Sequence, residues 1–154
     1  MNKMLRLSFL TILPFLLAAC GYVREKNQQF GEGDTVLQGS YWMLLSLQDQ
    51  QFKDNPETRT AYLRFEEGSD DLKGFTGCNR LMGKYRLSNG SIQLTNLSSS
   101  RAMCPIIEQE NMLMDVLAKT DTYRISGEVL TLYAQNEAVA TFRAGAEPTI
   151  PDTR

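Results

Sequence analysis

The sequence predicts an α+β domain in which about seven or eight antiparallel strands pack with one α-helix. Three observations carry this. Short segments between residues 37 and 144 alternate apolar with polar residues, the period of half-buried strands. Turn-forming clusters of Gly, Asn and Ser separate them. Only one stretch has a helical period, and a single helix among strands gives the α+β class.

Tyr41 to Leu47 opens the domain as an apolar, β-favouring run. From Ala61 to Glu66, Ala61, Leu63 and Phe65 alternate with Tyr62, Arg64 and Glu66, so the first three should face the core. Lys73 to Thr76 and Lys84 to Leu87 read as shorter strands. Ser88-Asn89-Gly90-Ser91 is a hairpin turn, because Asn-Gly tolerates the positive φ angles of a type I′ turn. Ile92 to Leu97 is the returning strand. Tyr123 to Ile125, Val129 to Tyr133 and Val139 to Arg143 form a meander, turning at Ser126-Gly127-Glu128 and between Ala134 and Glu137.

The helix is expected over Ile106 to Thr120, with Ile106, Ile107, Leu113, Met114 and Leu117 on its apolar face. Pro105 suits a first helical position. Glu108 and Glu110 lie early and Lys119 late, matching the helix dipole. Met112 and Met114 could line a binding face, although a stripe at this spacing is more commonly core.

The first 19 residues read as an export signal. Lys3 and Arg6 precede an apolar run from Leu7 to Leu17, about half of the roughly 20 residues that a membrane-spanning helix needs. Leu17-Ala18-Ala19-Cys20 resembles a lipobox, in which Cys20 receives diacylglycerol and becomes the new N-terminus. An ordinary signal peptide with a chance cysteine is the alternative. Two or more acyl chains anchor stably where one does not. The expected organisation is a lipoprotein signal peptide at 1–19, a polar lipidated tether at 20–36, the domain at 37–144 and a loose tail at 145–154. Gly21 follows the cysteine; by resemblance to known lipoproteins, an Asp there would favour inner-membrane retention. The expected location is therefore the cell envelope, at the periplasmic face of the outer membrane.

Composition narrows the chemistry. Removal of residues 1–19 takes the formal charge from −2 to −4, and no basic stripe suggests a nucleic-acid partner. The chain contains no histidine, which excludes Ser-His-Asp and Cys-His catalysis and the commonest metal ligand. With Cys20 lipidated, Cys78 and Cys104 are too few thiols for a zinc centre. In an exported domain the pair reads first as a disulfide, and two buried free thiols are the alternative. Closing a loop of about 25 residues would stabilise by roughly 3–4 kcal/mol. No metal or other cofactor is expected.

Four elements in order then name a family. Leu37-Gln38-Gly39-Ser40-Tyr41-Trp42 resembles an opening strand with its Gly and Trp. Gly77-Cys78-Asn79-Arg80-Leu81-Met82-Gly83-Lys84-Tyr85 matches a central G-C-N-x-x-x-G-x-Y motif. Ser100-Arg101-Ala102-Met103-Cys104-Pro105 resembles a T-x-M-A-C-P element, with Ser for Thr and the Met-Ala order inverted. Tyr123 to Leu132 resembles a closing Y-x-I-x-G-x-x-L-x-L hairpin. Together they resemble the META domain family, also called HslJ-like, over residues 37–144. The resemblance implies a partly barrel-like antiparallel sheet wrapped against one helix. It also implies an envelope role linked to heat shock and novobiocin tolerance, in a family with no accepted enzymatic activity or ligand.

Within the motif, Gly77 and Asn79 tolerate unusual backbone angles, Gly83 permits a close approach, and Tyr85 offers a core ring with a polar tip. Arg80 and Arg101 flank the two cysteines and could contact an anion. The expected function is a membrane-anchored, non-enzymatic module that binds an envelope protein or supports stress tolerance. The competing readings are a small-ligand or anion-binding module and a carboxylate-based hydrolase of envelope glycans. The hydrolase would use the acidic cluster Glu66, Glu67, Asp70 and Asp71. That cluster does not have the spacing of a calcium-binding EF-hand loop.

Overall fold

The structure is a computed structural model and describes residues 36–48, 50–51, 60–103 and 106–148. The segment read as a signal peptide, Cys20, nearly all of the segment read as a tether, Cys104, Pro105 and the end of the segment read as a tail lie outside the described residues.

Among the described residues there are nine strands and one helix: β1 (Tyr41–Leu47), β2 (Gln50–Gln51), β3 (Tyr62–Phe65), β4 (Asp71–Phe75), β5 (Arg80–Ser88), β6 (Ser91–Ser99), α1 (Ile107–Lys119), β7 (Thr122–Ser126), β8 (Val129–Ala134) and β9 (Glu137–Gly145). Apart from the two-residue β2, which sits beside Ser46 and Leu47, the strands follow one another around a single antiparallel sheet. Pairing of β1 with β9 closes that sheet into a ring. The predicted α+β class with one helix is the architecture found.

Alternation decides what faces in. Trp42 and Leu44, Leu63 and Phe65, Leu72, Leu81, Ile92, Leu130 and Leu132, and Phe142 are buried inside the ring. Ala61, Leu63 and Phe65 face inward as their spacing predicts. Trp42 is fully buried and its Nε1 donates to the Leu37 carbonyl at 2.9 Å, which ties the entering chain to the core. A bulge at Leu44/Ser46 resets β1 against β9, and both Ser46 and Leu47 are then buried. The Ser46 hydroxyl is satisfied by Thr141 Oγ1 at 2.5 Å.

The hairpin turns follow their sequence signals. Asn89 and Gly90 both have positive φ, as do Gln135 and Asn136 at the last hairpin. Several strands run longer than local pattern suggests. β4 begins at Asp71 rather than Lys73, because Asp71 pairs with Lys84 across the ladder. β5 begins at Arg80, and β9 continues to Gly145 by pairing with Tyr41, one residue into the segment read as a tail.

The helix spans one residue less at each end than expected, and its buried face is rotated. Glu110, Leu113, Val116 and Leu117 are buried, whereas Ile107 is 45% exposed and Met114 only partly covered. Ile107 falls at the first helical turn, beyond the rim of the core, and Glu110 takes the inward position there. At the other end Thr120 turns to an extended conformation, with its hydroxyl on the Val116 carbonyl.

β6 and β7 share a single residue pair, Ser91 with Thr122. Beyond it, β6 has α1 beside it instead of a strand. The connection from β6 to β7 is the helix itself, so the ring is closed there by side chains more than by backbone hydrogen bonds.

Candidate functional site

The central motif begins in the turn between β4 and β5. Gly77 has a φ of 100°, a conformation that side-chain-bearing residues rarely adopt. Asn79 is almost fully buried, and every polar atom of its side chain is used. Its Oδ1 accepts from Ser100 Oγ at 2.9 Å and from the Ala102 N–H at 2.8 Å. Its Nδ2 donates to the Ala102 carbonyl at 3.2 Å and to Glu110 Oε2 at 2.6 Å. One amide thus holds the β4–β5 turn, the segment before α1, and α1 itself.

Glu110 is the other half of this cluster. It is 4% exposed and has no cation beside it among the described residues. Its carboxylate accepts from Asn79 Nδ2, from Thr76 Oγ1 at 3.0 Å and from Ser99 Oγ at 2.6 Å. Burial pushes its pKa up, but the hydrogen bonds from Ser99, Asn79 and Thr76 together outweigh burial and hold it below its ordinary value. Thr76 Oγ1 also accepts the Asn79 N–H at 2.9 Å, which locks the turn.

The rest of the motif is equally structural in its contacts. Gly83 lies where a bulge shifts the β5–β6 register, and a Cβ there would come within 2.8 Å of Leu97 Cδ2 and 3.1 Å of the Thr95 carbonyl. The extra residue of the bulge falls on β6, where Asn96 has positive φ. Tyr85 is buried with its ring edge-on to Phe65, centroids 5.2 Å apart. Its hydroxyl donates toward the Glu66 carbonyl at 2.8 Å, with the Ser69 carbonyl at 3.1 Å, and accepts from Gln38 Nε2 at 2.6 Å. A shallow, open depression of about 320 Å³ lies beside it, lined by Gln38, Gly68, Ser69, Asp70, Tyr85 and Leu87. The polar tip of Tyr85 there is already occupied by protein partners.

The META domain model matches residues 35–146. The chain belongs to the META domain family. No curated protein shows significant similarity to it. Two solved structures share the fold. One NMR structure is 24% identical with a TM-score of 0.56, covering 70% of this chain and 90% of its own. An NMR structure of a protein from Burkholderia xenovorans is 24% identical with a TM-score of 0.58, covering 72% of this chain and 85% of its own.

In this META domain the other candidate residues separate by place. Cys78 is disulfide-bonded, and Cys104 lies outside the described residues. Arg80 and Arg101 are both exposed at the same edge, where the Arg80 backbone N–H donates to Ser100 Oγ at 3.1 Å and its carbonyl accepts from the Ser100 N–H at 3.0 Å. Among the described residues neither arginine has an ion-pair partner. The acidic cluster is largely neutralised. Glu66 lies 3.5 Å from Arg64 Nε and 3.3 Å from Lys73 Nζ, and Lys84 Nζ bridges Asp70 at 2.6 Å and Asp71 at 2.9 Å. Hydrogen bonds from Lys84 and Ser69 hold Asp71 below its ordinary pKa. Glu67 is exposed. Among the described residues no group of acids and cysteines is arranged to hold a metal ion.

The sequence pattern places Glu110 early in the helix and Thr76 in a strand, but does not bring either of them, or Ser99, to Asn79. A signal for Glu110 was present: it lies three residues before Leu113 and seven before Leu117, in register with the apolar face. An acid in that register needs buried donors, and the Asn of the motif supplies one.

Proposed function

We propose that this META domain is a lipid-anchored, non-enzymatic module of the cell envelope, which acts by binding a protein partner and contributes to stress tolerance. The anchor rests on the Leu17-Ala18-Ala19-Cys20 sequence and the short apolar run before it. The observation that carries the non-enzymatic reading is the commitment of the acids. Of the cluster, Glu66, Asp70 and Asp71 are held in ion pairs on the surface and only Glu67 has none among the described residues, while the buried Glu110 is engaged by three donors. A hydrolytic carboxylate pair needs an acid free to give a proton and a second free to attack or to activate water. Stress tolerance is supported by the family to which the chain belongs.

The test has two parts. Palmitate labelling of cells expressing the full chain should mark the protein, and Cys20→Ala should abolish both the label and membrane retention. Cross-linking from the folded domain in cells, with Cys20 intact, should capture one recurrent envelope protein. A diffuse set of captured proteins, together with unchanged stress survival on deletion, would remove the reading.

A further inference from the structure

The ring's outer face carries an arrangement that neither the motif nor the core uses. Register aligns Arg143 (β9), Met43 (β1), Tyr62 (β3), Phe75 (β4) and Arg80 (β5) in one cross-strand row. Their strand neighbours Trp42, Leu44, Leu63 and Leu81 are buried, so the row points outward. Met43, Tyr62 and Phe75 are partly exposed, and the arginines at both ends are exposed. The Tyr62 and Phe75 rings stack with centroids 6.3 Å apart at 27°, and Tyr41 lies 5.6 Å from Tyr62.

The adjacent row, Tyr41, Arg64, Lys73 and Met82, continues the same chemistry. The Arg64 guanidinium lies 4.6 Å over the Tyr41 ring, and Met82 is 60% exposed. Four cations therefore surround two tyrosines, a phenylalanine and two methionines, on a chain whose formal charge is negative. Glu66 answers two of those cations, Arg64 and Lys73. Arg80 and Arg143 have no acid partner among the described residues.

Tyr, Phe, Met and Arg are the residues that protein interfaces concentrate at their cores, and desolvated Tyr and Arg supply most of the binding energy. Each cross-strand contact also holds these side chains on rigid strands, which lowers the entropy lost on binding. We propose that this outer face of β9-β1-β3-β4-β5 is the protein-docking surface, and that its partner presents an acidic segment with apolar side chains between its carboxylates. The two terminal arginines take the carboxylates as bidentate pairs, and the Met43-Tyr62-Phe75 strip takes the apolar groups between them. This rests on the protein-binding reading above and adds the face and the chemistry of the partner.

The test is an NMR titration of the folded domain with four probes. They are a synthetic peptide alternating Glu with Leu and Tyr, its Lys counterpart, soluble peptidoglycan fragments, and vesicles of phosphatidylethanolamine with phosphatidylglycerol. The acidic peptide should shift the methyl signals of Met43 and Met82 and the ring signals of Tyr62 and Phe75, with affinity that falls as salt rises. Arg80→Glu with Arg143→Glu should weaken that binding by about tenfold or more and confer binding of the Lys peptide. Arg80→Gln with Arg143→Gln, which removes charge without reversing it, should give an intermediate loss, and the unchanged spectrum of the core confirms folding in both. Peptide shifts confined to another surface would overturn the assignment of this face and leave protein binding standing. Binding of the glycan or the vesicles in place of either peptide would overturn both, as would the absence of any peptide shift. Binding that survives charge reversal would overturn the acidic partner.

Discussion

Asn79 and Glu110 do at the residue scale what a larger protein can leave to packing. Each is a buried polar group that is affordable only because both its polar atoms are hydrogen-bonded, and each is the other's partner. Asn79→Ala removes the partners of two segments at once, Ser100–Ala102 and α1, and leaves the Glu110 carboxylate short of a buried donor. It should destabilise the domain by about 2–3 kcal/mol, read as a shift of the urea midpoint with unchanged slope. The carboxylate also sets an acid limit. Because the folded pKa of Glu110 lies below its ordinary value of 4.5, its contribution is fully present above that pH and is lost as pH falls through the folded pKa. Asp71, lowered by Lys84 and Ser69, adds to the same acid slope. Glu110→Gln should lower stability at neutral pH, since its amide nitrogen cannot accept, and should flatten the loss below pH 4.5 relative to the native chain. Urea midpoints at neutral pH and in that acid range would show it, and equal acid slopes in the two proteins would contradict the assignment.

The helix argues the element scale. Its predicted apolar face included Ile107, but the first turn projects past the core and the inward position there belongs to an acid. Two substitutions of similar size should therefore separate. Leu117→Ala, at a fully buried position, should cost about 2–5 kcal/mol. Ile107→Ala, at a position 45% exposed, should stay within about 0.5 kcal/mol. Thermal or chemical denaturation of the two variants distinguishes the observed face from the expected one. The strands show the same lesson in milder form. β3 was legible because its residues alternate cleanly between core and solvent. The first half of β5 was not, since Arg80-Leu81-Met82-Gly83 has little local strand preference and is held by its register with Phe75 to Leu72.

At the scale of the whole molecule the ring is uneven. Seven of its joins are ladders of several residue pairs, whereas β6 and β7 meet at one. Opening there breaks few backbone hydrogen bonds, so the Ile92 amide, which bonds to the Asp121 carbonyl, should exchange with solvent sooner than the amides of the β8–β9 ladder. Native-state hydrogen exchange resolved by residue measures this, and equal protection at both places would show that α1 seals the seam as firmly as a strand.

The sequence by itself determined the α+β class, the one helix among the described residues, most turns and the residues of the family motif. These are local properties: periodicity, positive-φ residues at turns, and short ordered motifs. The tertiary structure alone decided why the motif has those residues. Closure of the sheet brings Thr76 and Asn79 of one turn, Ser99 of β6 and Glu110 of α1 together from three separate segments, and aligns Arg143 with Arg80 across five strands. Burial and register are set by which strands become neighbours around the ring, a non-local choice that no single segment encodes.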